Sequence, residues 1–165
     1  MISNVDRFPA SLNWISEAHL AAPLSAPGRT DWCIDERQFL EMERGFAAHG
    51  GFASDDEIAR RLRQYHDQPL SLLARWIVDR SIISIVWRSR RLIPRFQFDL
   101  SDMSLRLETR HVVSELSAIF DDWELTLWCA SPNTWLRNKT PVDLFADEPL
   151  RVLHAARADR FVARG

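Results

Sequence analysis

A chain of 165 residues makes one ordinary domain or two small ones. Hydrophobic residues are 46% of it, with seven Trp and nine Phe, which argues against global disorder, and a net charge of −2 names no partner by itself. Two cysteines are too few for a disulfide framework, and no apolar run nears the ~20 residues that span a bilayer.

The first ten residues carry an acid and no apolar core, so no secretory signal is expected. The reading is a cytoplasmic, reduced protein with Cys33 and Cys129 as buried free thiols and no membrane partner. Charge is unevenly placed. Residues 57–95 hold nine arginines against three acids, whereas residues 1–56 and 96–165 are each net acidic. A basic middle between acidic ends is the informative feature.

In chain order, Ser11–Ala22 predicts a weak helix with Leu12, Ile15 and His19 along one side. Ala21–Thr30, with Pro23, Pro27 and Gly28, reads as a linker. Asp35–His49 predicts a helix with Phe39, Met42 and Phe46 on one stripe, ended by Gly50-Gly51. Ser54-Asp55-Asp56-Glu57 is a capping box, and its helix turns Ile58 and Leu62 inward and Arg60, Arg61 and Arg63 outward. Pro69 opens a helix to about Asp79, with Leu70, Leu73, Ala74 and Ile77 on its inner face and Leu72 and Trp76 widening it.

A β-hairpin is expected next. Ile82–Arg88 is rich in β-branched residues, Ser89-Arg90-Arg91 is read as a three-residue turn, and Leu92–Phe98 returns as an edge strand marked by Pro94. Asp99–Met103 is a loop. A helix from about Arg106 to Phe120 buries Val112, Val113, Leu116 and Phe120, with His111 and Glu115 as a surface pair.

Asp121 and Glu124 form a second capping box. The helix they start carries Trp123, Leu127 and Trp128, flanked by Leu125, and Ser131-Pro132-Asn133 stops it. After Trp135-Leu136 and a polar turn, Thr140-Pro141-Val142-Asp143 starts a short helix to about Ala146. A last helix from Asp147-Glu148-Pro149 to about Val162 is anchored by Leu150, Val152, Leu153 and Ala156. Trp128 reads as core and Trp135, beside a turn, as the Trp at the surface.

The residues Trp128, Pro132-Asn133, Trp135-Leu136, Thr140-Pro141, Asp143-Leu144, Val152 and Ala155-Ala156 resemble the C-terminal toxin-binding domain of the Xre/MbcA/ParS antitoxin family. Pro94-Arg95-Phe96-Gln97-Phe98-Asp99 resembles the element that precedes that domain in many members. The resemblance spans Ile82 to Phe161, half of the chain. It departs where the family's loop before Thr-Pro carries glycine. Here Arg137-Asn138-Lys139 stands there, and Asn138 is the residue suited to a left-handed backbone.

The resemblance implies a protein-binding role: sequestering a RES-domain toxin, an NAD-consuming enzyme, by covering its active site. It also implies a homo-oligomer. The candidate toxin-binding residues are Trp135, Arg157, Arg160, Phe161 and Arg164. Without a partner, that terminal segment, which also holds Asp159, reads as a frayed, solvated end.

The expected fold class is mainly α with one β-hairpin. The segments are an N-terminal extension (1–53), a degenerate winged helix-turn-helix-like module (54–99) and a small helical toxin-binding-like domain (100–165). The module with its basic hairpin suggests a second expectation, binding of operator DNA through Arg75, Arg88, Arg90, Arg91 and Arg95. Its second helix is too apolar for a base-reading helix, which favours a solvated structural surface instead. No catalytic, cofactor or metal site is legible: the five histidines show no ligand spacing, and glycine-rich phosphate loops and nucleophile elbows are absent. An enzyme assembled from residues far apart in the chain is the remaining alternative.

Overall fold

The computed structural model describes residues 30–165. The helix read at Ser11–Ala22 and the linker read at Ala21–Thr30 lie outside them, apart from Thr30 itself. The Cys33 side chain is likewise outside what is described.

The chain is mainly helical around one small sheet. In order, α1 is Thr30–Ala47, β1 Phe52–Ser54, α2 Asp55–Leu62, α3 Pro69–Val78, β2 Ile85–Trp87 and β3 Arg90–Pro94. Then follow α4 Leu107–Leu116, α5 Asp122–Ala130, α6 Pro141–Leu144 and α7 Pro149–Arg164. Single 3₁₀ turns occupy Arg95–Gln97 and Thr134–Leu136.

The boundaries follow local chemistry. Both capping boxes form: Ser54 accepts from the Glu57 N–H and Asp121 from the Glu124 N–H, while each glutamate reaches back to the cap's own N–H. Thr140 caps α6, and Pro sits in the first turn of α3, α6 and α7. α1 begins five residues before the expected Asp35. It ends at Ala47, two residues short of the expected His49, and Gly50 and Gly51 then turn the chain with φ of 91° and 65°. α6 is shorter than expected, stopping at Leu144.

The expected antiparallel hairpin forms from β2 and β3, but it belongs to a larger sheet. It has three antiparallel strands in the order β1-β3-β2, not two. β3 is therefore central, and Pro94 is its last residue rather than the mark of an edge. Where Pro94 lacks a donor, the Arg95 N–H takes over by donating to the Gly51 carbonyl at 3.0 Å. The turn is Arg88-Ser89, with Trp87 paired to Arg90, not Ser89-Arg90-Arg91. Both turn residues have positive φ, 48° and 62°, the two-residue geometry that matches strand twist.

Strand alternation sends side chains to two apolar clusters. Ala53 and its partner Ile93 join Ile58, Ala59, Leu62 and Leu73 of α2 and α3, with Ile82, Phe98 and Met103. Ile85 and Phe96 join the larger cluster, built from Met42 and Phe46 of α1 and the apolar faces of α4 to α7. Phe52 and Leu92 pack against that larger cluster. The inner face of α3 differs from expectation. Leu70 is 63% exposed and Ala74 is exposed, while Pro69 and Leu73 are buried with Leu72, Trp76 and Ile77 packed beside them. Pro69, already buried at the first turn, sets the rotation of the helix.

Two polar side chains brace the fold, one within the hairpin and one between helices. Gln97, fully buried, behaves like a strand partner of Ile83: its Oε1 accepts the Ile83 N–H and its Nε2 donates to the Ile83 and Pro94 carbonyls at 3.0 Å each. Arg80 donates to the carbonyls of Ser117 and Phe120 and to Asp122, all within 3.1 Å, clamping the end of α3 to the α4–α5 turn. Among the described residues no helix is long and apolar enough to cross a membrane.

Candidate functional site

The C-terminal third is built around one carboxylate. On α7, Val152, Ala155, Ala156 and Asp159 fall at i, i+3, i+4 and i+7, and all four are buried. Asp159 is thus inside the fold, not part of a frayed end. Its Oδ2 accepts from Trp128 Nε1 at 2.7 Å and from Asn133 Nδ2 at 2.8 Å, and its Oδ1 accepts from Trp135 Nε1 at 2.8 Å. Burying a carboxylate is costly unless hydrogen-bonded, and these donors supply part of that compensation.

Asn133 has two further duties. Its Oδ1 accepts the Trp135 backbone N–H at 2.9 Å, capping the 3₁₀ turn, and its backbone bridges to Lys139. The chain gets back to Lys139 through two left-handed residues, Arg137 with φ 58° and Asn138 with φ 61°. The loop therefore needs one more left-handed residue than Asn138 alone. At the start of α6, Asp143 accepts from the Thr140 hydroxyl at 2.6 Å and shares a hydrogen bond with His49 Nε2 at 2.8 Å. The Thr140 contact foremost, with help from His49, holds the Asp143 carboxyl below its usual value.

Trp128 is core and Trp135 is 53% exposed, as the sequence suggests. The terminal arginines are less free than expected. Arg157 and Arg160 both pair with Glu115 of α4, Arg157 through its Nε at 3.0 Å. Glu115 therefore faces α7 rather than pairing with His111. The Arg157 hydrogen bond, then Arg160, keeps its carboxyl below the ordinary value against the opposing effect of burial. Arg164 and Phe161 project into solvent, Phe161 with 79% exposure, and Leu150, expected as an anchor, is 69% exposed.

Glu115, Arg157, Arg160, Phe161 and Arg164 line a shallow groove of about 520 Å³. Trp135 is not among its lining residues. It bonds Asp159, which lies about half a turn round α7 from Phe161. At 100° per residue, Leu150, His154, Arg157, Phe161 and Arg164 form one solvent-facing stripe opposite the buried one.

The hairpin arginines divide differently. Arg88 pairs with Glu36 at 2.6 Å and lies over the Trp87 ring. Arg91 donates to Ser84 Oγ at 2.9 Å, and Arg95 approaches Glu57 at 3.5 Å. Arg75 and Arg90 are exposed.

Cys129 is fully buried, and burial pushes its thiol well up, away from the thiolate form. Among the described residues, no three His, Cys, Asp or Glu side chains cluster as metal ligands. Sequence reasoning missed Asp159, Asn133 and Glu115 as organising residues. The available signal was the small-residue spacing Val152-Ala155-Ala156-Asp159, which places an acid on an inner helix face. No family model matches the chain, nor does any curated protein or solved structure.

Proposed function

We propose that the chain is a protein-binding module of antitoxin type that sequesters a RES-type, NAD-consuming toxin by covering its active site. The observation that carries the reading is the two-sided character of α7. One side is packed around Asp159, while the other presents Leu150, His154, Arg157, Phe161 and Arg164 to solvent. A large aromatic beside arginines on a rigid helix is the composition of an interface anchor. The resemblance of the Trp128–Ala156 residues to the toxin-binding domain supports the same assignment. The mechanism is steric, and no chemistry by this chain is needed.

The test is co-expression with the product of a neighbouring reading frame that encodes a RES-domain toxin. A stable complex and preserved cellular NAD support the reading. Toxicity unchanged by the chain, with no co-purification, overturns it.

A second reading is favoured by one observation. The order helix, strand, helix, helix, strand, strand with sheet order β1-β3-β2 supports reading this part as a winged-helix-like module, and with it a DNA-binding regulator. Against it, the solvent side of α3 offers Leu70, Ala74 and Val78 beside Arg75, and few groups that could read base edges. A gel shift with the chain's own upstream DNA decides. Binding through this module falls steeply with salt and weakens when Arg75 and Arg90 become Ala.

A further inference from the structure

Along its whole length α7 carries one acid, Asp159, and that acid is buried and bonded on the inner side. Several of its arginines lie on the outer side. At 100° per residue, Arg157, Arg160, Phe161 and Arg164 fall within about 100° of the helix circumference. They line the groove of about 520 Å³ together with Glu115, the one carboxylate side chain among its lining residues. Both oxygens of Glu115 are already taken, Oε1 by Arg157 Nε and Oε2 by Arg160 Nη1. Three arginines against one glutamate leave the lining side chains at +2. Arg157 donates through Nε, which leaves its two terminal nitrogens for another acceptor. Arg164 is exposed and enters no ion pair among the described residues. Arg157 and Arg164 stand two turns apart, ~10 Å along the axis, with the exposed Phe161 ring between them.

We propose that this groove receives an acidic segment of the partner protein, with two carboxylates about 10 Å apart and an apolar side chain between them. The carboxylates meet the guanidinium groups of Arg157 and Arg164, and the apolar side chain covers Phe161. Charge complementarity selects this occupant. A basic or neutral segment would cover an excess of two positive charges without pairing them, which is costly. A free phosphate would pair with an arginine but leave Phe161 in water. Glu115 already shows a carboxylate accepted by two arginines of this face. It also holds them in place before a partner arrives, which lowers the ordering cost of binding. That the partner is a toxin rests on the antitoxin reading, whereas the acidity of its segment does not.

The test uses the full chain and the RES-domain toxin of a neighbouring reading frame. Lys139 is the one lysine of the sequence, so Arg164→Lys adds a distinctive amine to the groove at unchanged charge. A carbodiimide activates a carboxylate, and the amine attacks it to form an amide, releasing the carbodiimide as a urea. Position 164 is expected to become joined to an Asp or Glu of the toxin, located by mass spectrometry. A complex that forms without that link overturns the proposal. Arg164→Gln is expected to weaken binding about tenfold, and Arg157→Gln combined with it about a hundredfold. Arg110→Gln, exposed on the other side of α4 from Glu115, leaves binding unchanged. Circular dichroism checks that each variant folds, and Arg164→Gln alone decides if the double variant does not. Binding by Arg164→Gln as tight as by the wild type overturns the proposal. So does inorganic phosphate that displaces the toxin where chloride of the same ionic strength does not.

If the wild type forms no complex, the antitoxin reading falls and a synthetic helical peptide judges the groove alone. The peptide carries two Glu about two turns apart with a Leu between them. It is expected to shift the Arg157 and Arg164 Nε–H signals in the ¹H–¹⁵N spectrum, whereas the same peptide with Gln for Glu does not. No shift with the Glu peptide, or an equal shift with both, overturns the proposal.

Discussion

A Cβ added to Gly45 would lie 2.9 Å from the Cβ of Ala130 and 3.3 Å from its carbonyl oxygen. α1 and α5 approach each other there through backbone, so neither side can yield cheaply. Gly45→Ala is expected to lower stability by about 1–3 kcal/mol despite its better helix propensity, as read by urea unfolding. An unchanged midpoint would show that the two helices slide apart freely. Gln97→Leu strips the Ile83 and Pro94 backbone groups of their buried partners and should cost roughly 2–4 kcal/mol. The role of Gln97 was not legible beforehand. A polar residue in an apolar run shows nothing of which distant backbone it pairs with, and Ile83 is fourteen residues away. The same holds for Asp159, whose partners sit 24 to 31 residues back in the chain.

Helix starts were legible because a capping box is complete within four residues, and Ser54–Glu57 and Asp121–Glu124 both form as read. β1 was not, because three residues establish no period, and it exists only through its pairing with β3. The turn was read as starting one residue late and running one residue too long because neither Arg88 nor Ser89 is a residue that favours positive φ. At this scale the contact between α4 and α7 is sensitive to acid. The Glu115 carboxyl is held below its ordinary 4.5 chiefly by Arg157, so its folded pKa lies below its unfolded one. The stability it contributes is present above the unfolded value and is lost as pH falls from about 4.5 through the folded value. Glu115→Gln should flatten that part of the stability–pH curve, measured by thermal melts between pH 6 and pH 3 (approximate bounds set by the carboxylate range). An identical acid slope in the variant would place the sensitivity elsewhere. Truncation divides α7 in the same way. Removing Asp159–Gly165 takes away a buried carboxylate with its Trp128, Asn133 and Trp135 contacts and should unfold the C-terminal helices. Removing Val162–Gly165 should leave the circular dichroism unchanged.

Over the whole molecule, both apolar clusters meet at the sheet, and Arg80 fastens the end of α3 to the α4–α5 turn. The basic middle visible in the sequence is only partly engaged, since Arg60, Arg61, Arg63, Arg75 and Arg90 stay exposed. Arg88 and Arg95 are paired with carboxylates and Arg91 donates to Ser84. What faces outward at the C-terminal end is a half-exposed Trp135 on a fixed loop and the Leu150–Arg164 stripe on a rigid helix. On the proposed function, this end binds and masks a toxin. Titrating the purified chain against a RES-domain enzyme from a neighbouring reading frame, while following NAD⁺ loss, tests this. NAD⁺ consumption is expected to fall to zero at a stoichiometric ratio, and Phe161→Ala together with Arg164→Ala is expected to need a clear excess to do the same. NAD⁺ consumption that stays at its full rate with the wild-type chain in excess would contradict it.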